Sequence, residues 1–108
     1  MLALTPTTTH ILKLFFLSEK NQEEAAKYLR NDCSDNIWPT VIPKQMERLW
    51  FAVIKLSNGS IPLLVDEIVE AQTDYRDVLV AAGFGGDVNA HVHWAETILG
   101  KRLPRPPD

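Results

Sequence analysis

The stretch from Ser60 to Gly83, SIPLLVDEIVEAQTDYRDVLVAAG, constrains this chain more than any other, because it reads as one long helix with two segregated faces. Ile61, Leu64, Ile68, Ala71, Tyr75, Val78 and Ala82 recur at steps of three and four residues, the spacing that lines up one face of a helix. That face is expected to be core. At about 100° per residue, Asp66, Glu67, Glu70, Asp74 and Asp77 fall within an arc of roughly 100° beside it. A helix over about 61–82 with an apolar stripe needs other helices to cover it. The expected fold is therefore all-α: a compact bundle of four to five helices with this long helix at its centre.

The flanking sequence supplies the other helices and their stop signals. Thr5, or one of Thr7 to Thr9, caps a first helix to about Leu17, with Pro6 suited to its first turn. Ile11, Leu12, Leu14, Phe15, Phe16 and Leu17 surround its axis, which predicts burial on more than one side; a strand is the competing reading for so short a run. Asn21 followed by Glu24 forms a variant capping box that opens a second helix through Arg30. From Asn31 to Pro43 the composition predicts an ordered loop anchored by Ile37, Trp38, Val41 and Ile42. Pro43 starts a third helix, on which Met46, Leu49, Trp50, Val53 and Ile54 follow helical spacing until Asn58-Gly59. Phe51 projects away from Trp50, beside Lys44, Arg48 and Lys55, and is expected to be exposed or covered by a partner. After Gly83, Asp87 caps a last helix, lined by Val88, Val92, Ala95, Ile98 and Leu99 and stopped by Gly100. Residues 1–100 thus form one helical domain, and the proline-rich tail 101–108 adds no obvious core.

Composition narrows the function classes. With 108 residues and 45% hydrophobic content, the chain is long enough to bury a core and too apolar for disorder. A net charge of -3 argues against nucleic acid or anionic membrane as the main partner. Only Cys33 is present, so an intrachain disulfide and a Cys-based zinc site are excluded. No run approaches the roughly 20 apolar residues that span a bilayer, and the opening MLALTPTTTHILKLFFLS lacks the basic segment of a signal peptide. A cytoplasmic location is expected, in which Asn58-Gly59-Ser60 is a turn and not a glycosylation acceptor.

Three features carry chemistry. The pairs Glu67-x-x-Glu70 and Asp74-x-x-Asp77 resemble the ExxE and ExxD pairs of the all-helical nucleoside triphosphate pyrophosphohydrolases. The resemblance implies carboxylates that gather magnesium around phosphate oxygens, converging from two helices. Here both pairs lie on one helix, so a second subunit would have to supply the facing half; a solvated helix face is the plainer reading. Gln22 to Leu29, QEEAAKYL, resembles the first helix of excisionase-type helix-turn-helix modules, but the RNDCSDNIWPTVIP that follows has prolines where a recognition helix would need base-reading donors. His91 and His93 lie about 200° apart on the last helix and cannot chelate one ion, and His10 is remote in sequence. His91 falls on the apolar face, with Asp87 one turn earlier to orient it.

No coherent catalytic set emerges. The expectation is a non-enzymatic interaction or regulatory module without a bound cofactor, paired as a homodimer or docked on a protein partner through Phe16, Phe51 and the apolar first helix. The alternatives are a magnesium enzyme built on Glu67, Glu70, Asp74 and Asp77 or, further off, a DNA-binding protein.

Overall fold

Thr5 fixes the start of the first helix: its hydroxyl accepts the Thr8 N–H at 3.1 Å and donates to the Glu47 carboxylate. The helix that follows, α1 (Pro6–Phe15), belongs to a computed structural model that describes residues 4–33, 43–87 and 89–103. It ends two residues short of the expected Leu17, because Phe16 turns to extended backbone and Ser18 caps the next helix, α2 (Glu19–Asp32), by accepting the Asn21 N–H at 3.2 Å. Asn21 therefore sits inside the first turn and does not open it. The Phe16 carbonyl accepts from the Gln22 side chain at 2.8 Å, closing the corner between the two helices. The loop anchored by Ile37, Trp38, Val41 and Ile42 lies outside the described residues.

Helix α3 (Pro43–Ser57) packs most extensively against α4 (Ile61–Ala81) and also touches α1 and α5 (Ala90–Leu99). Surrounded on several sides, it buries Met46, Leu49, Trp50, Phe51, Ala52, Val53 and Ile54, far more than one stripe. Helix α2 lies on α4 and α1, and α1 also meets α5. No strand occurs among the described residues. The radius of gyration is 12.6 Å, against about 13 Å expected for a packed domain of this length.

The turn between α3 and α4 is built on Asn58 and Gly59, both in the left-handed region. Gly59 is required twice over: its φ is +83°, and a Cβ there would stand 2.6 Å from the Phe15 carbonyl oxygen. Ser60 then caps α4, accepting the Leu63 N–H at 3.4 Å. The far end of α4 is capped from α3. Lys55 donates to the Ala82 carbonyl at 2.7 Å with its Nζ 5.2 Å from the Phe84 ring centre, and Arg48 donates to the Phe84 carbonyl. Two cations thus meet the negative end of the helix dipole.

Helix α4 is not one continuous rod. Asp74 has extended backbone (φ -154°, ψ 96°), and its carboxylate accepts the Arg76 N–H at 3.1 Å and the Arg76 Nε at 3.3 Å. The aspartate does at this point what an N-cap does, restarting the helix after the kink. At α5 the cap position belongs to Asn89; the Asp87 carboxylate accepts the Asn89 N–H at 2.8 Å and so shapes the preceding turn. Gly100, at φ +70°, stops α5 as expected. Beyond it the chain returns to the core: the Leu103 N–H donates to Glu96 at 2.8 Å and its side chain is half-buried.

Candidate functional site

The acidic strip does not form a cluster. Asp66 and Glu70 are exposed and Glu67 is half-buried on the first part of α4, whereas Asp74 is engaged with Arg76 at the kink and Asp77 lies exposed beyond it. Asp74 departs from helical backbone, so Glu67, Glu70, Asp74 and Asp77 do not lie on one uninterrupted helix, although the expected apolar positions Val78 and Ala82 beyond it stay buried. Among the described residues no group of three or more His, Cys, Asp or Glu side chains converges as metal ligands would. Burial, then the neighbouring charges of Glu70 and Asp66, raise the Glu67 carboxyl above the ordinary glutamate range.

The two phenylalanines expected at an interface are buried inside the chain. Phe16 is 1% exposed and Phe51 0% exposed. Phe51 was expected beside lysine and arginine because a helical wheel shows directions and not how many neighbours a helix has. Helix α5 covers that direction, bringing His91 and Trp94 to ring-centre distances of 5.7 and 5.8 Å. Phe84 and Phe15 complete the cluster, each with its ring centre 5.8 Å from that of Trp94. The aromatic face is the seam between α3 and α5, not an outer surface.

His91 is buried in that seam, between Phe51 and Phe84, on the apolar face of α5 as its position in the sequence predicts. His93 is exposed on the opposite side, beside Glu96, Thr97, Lys101 and Arg102, and His10 is exposed on α1. The three histidines do not meet. Cys33 is fully buried at the end of α2, where burial and, secondarily, the Asp32 charge push its thiol well above the ordinary range. It stays protonated, which suits packing and not nucleophilic attack.

Two surface features stand out, the first of them partly expected from the apolar first helix. The first is aliphatic: Leu17 is 88% exposed, and Leu14 and Leu63 are exposed at the same end of the molecule, where the end of α1 abuts the turn preceding α4. The second is a groove of about 570 Å³ between α3 and the second part of α4. Gln45 and Arg48 line it from α3, and Tyr75, Arg76, Leu79 and Val80 from α4. Gly85 forms its rim, turned back so closely that a Cβ would stand 2.8 Å from Val80 Cγ2. The groove joins two guanidinium groups to an apolar wall, with no carboxylate among its lining residues. Arg76 belongs to the same segment as the acidic strip, and the packing of α3 on α4 places it in one groove with Arg48.

No family model, curated protein or solved structure matches this chain.

Proposed function

We propose that this protein is a non-enzymatic interaction module that works as a homodimer through the end of the bundle where α1 meets the turn between α3 and α4. The observation that carries the reading is Leu17, an aliphatic side chain left 88% exposed at the end of the bundle where Leu14 and Leu63 are each 46% exposed. Desolvating such a patch is favourable at about 25 cal/mol per Å² of apolar surface, and nothing in the chain's own packing achieves it. A second copy suits it because the flanking exposed residues carry both signs: Lys13, Glu19 and Lys20. Twofold pairing sets the same patch against itself and lets a lysine of one copy face the glutamate of the other. Of the partner surface expected at Phe16, Phe51 and the apolar first helix, the two phenylalanines are buried, and Leu14 and Leu17 with Leu63 carry the reading. No described helix is long and apolar enough to cross a membrane, and the single buried thiol suits a cytoplasmic setting.

Sedimentation at micromolar concentration tests this. The unmodified protein is expected to sediment as a dimer and Leu17→Asp as a folded monomer, since Leu17 makes little contact within its own chain. A monomeric unmodified protein would remove the proposal.

A further inference from the structure

We propose that the groove between α3 and the second part of α4 binds a small amphipathic carboxylate, with Arg48 and Arg76 taking the charge and Tyr75, Leu79 and Val80 taking the apolar body. This site is separate from the dimer surface at the other end of α4 and does not rest on it. The charge argument comes first. Arg48 donates to a neutral acceptor, the Phe84 carbonyl, and has no carboxylate partner among the described residues. Arg76 gives its Nε to Asp74 at 3.3 Å, which leaves the two terminal nitrogens of its fork. Two arginines and no carboxylate line the groove, and Asp74 pairs with only one of them, which makes it a positive site on a chain of net charge -3.

Arg48 is also positioned before any ligand arrives, by its bond to the Phe84 carbonyl, and the exposed Arg76 is oriented by a single contact to Asp74. Prior fixation lowers the ordering cost of binding, and a planar fork matches a carboxylate in two parallel hydrogen bonds. The remaining wall selects the rest of the ligand. Leu79 and Val80 offer aliphatic surface and Tyr75 a ring, while Val80 is left 67% exposed with no neighbour covering it. A volume of about 570 Å³ lies inside the usual range for small-molecule sites, roughly 300–1,000 Å³. Inorganic phosphate would satisfy the arginines but leave that wall in water, so the complementary ligand has one anionic end and a short hydrocarbon body.

The test is an NMR titration of the ¹⁵N-labelled full chain with sodium hexanoate, 1-hexanol and inorganic phosphate in parallel. Hexanoate is expected to give saturable shifts at the Arg76, Leu79, Val80 and Gly85 amides, with hexanol and phosphate each about tenfold weaker. Arg76→Gln, at a position exposed to water, should keep the spectrum of a folded protein and weaken hexanoate about tenfold. Arg48→Gln should weaken it as well; because that change also releases the Phe84 carbonyl, Arg76→Gln is the decisive variant. Absence of saturable shifts in the groove, equal binding of hexanol, equal binding of phosphate, or undiminished hexanoate binding by Arg76→Gln would each overturn the assignment.

Discussion

The indole N–H of Trp50 donates to the main-chain carbonyl of Cys33 across 2.7 Å, and both residues are wholly buried. This bond ties the middle of α3 to the last turn of α2, satisfying the one polar atom of the indole and a carbonyl at a helix end that has no partner within its own helix. Trp50→Phe keeps most of the ring and leaves that carbonyl unsatisfied, and is expected to cost about 1–3 kcal/mol in urea unfolding. Trp50→Ala also opens a cavity and should cost about 3–5 kcal/mol. A loss near zero for Trp50→Phe would mean that the hydrogen bond contributes nothing measurable.

Cys33 itself makes a chemical prediction. With its thiol held protonated by burial and by Asp32, it should resist a disulfide exchange reagent in the native state and react fully in denaturant. Because the folded thiol holds its proton more tightly than the unfolded one, stability should also fall as pH rises through the ordinary thiol range and beyond. Rapid labelling of the native protein would show that the end of α2 opens readily.

Gly59 and Gly86 form a contrasting pair. A Cβ at Gly59 meets the Phe15 carbonyl oxygen at 2.6 Å on a backbone already at positive φ, so Gly59→Ala is expected to cost at least about 2 kcal/mol. A Cβ at Gly86 meets nothing within 4 Å, and Gly86→Ala should stay within about 0.5 kcal/mol of the parent. Thermal unfolding of the two variants side by side measures the contact between α1 and the turn.

Glu67 should titrate visibly in stability. Its carboxyl is raised by burial and by Glu70 and Asp66, so the native state binds its proton more tightly than the unfolded chain does. Stability therefore declines as pH rises from the ordinary glutamate range through the raised value. Glu67→Gln is expected to be more stable than the parent at neutral pH and equal to it in acid, where both side chains are uncharged. Magnesium in the same experiment addresses the metal-dependent alternative: a rise in melting temperature that Glu67→Gln abolishes would favour it.

Helical periodicity placed the five elements and most of their buried residues, including Trp50 and Ile68, because each helix turns a regular apolar stripe to a neighbour. It misplaced Phe51 because periodicity within a helix does not record how many other helices surround it, and Phe16 because that residue leaves the helix in extended backbone. The kink at Asp74 carries neither proline nor glycine and was not legible in the pattern; an Asp that caps within a helical run looks like any surface acid. The groove was hidden for a related cause, since Arg48 and Arg76 are distant in sequence and meet only after α3 and the second part of α4 have packed.

The interruption at Asp74 has a consequence for amide hydrogen exchange. The peptide ladder of α4 is two ladders: one from Ile61 to Thr73, docked by Leu64, Ile68 and Ala71, and a shorter one from Tyr75 to Ala81, docked by Val78, Leu79 and the Lys55 contact at Ala82. Opening the second does not require melting the first, so its amides should exchange through a smaller, less costly fluctuation than those of the long segment. The wall of the groove that carries Tyr75, Arg76, Leu79 and Val80 is this second unit. A ligand seated there would therefore slow exchange over Tyr75–Ala81 and leave the protection of Ile61–Thr73 unchanged.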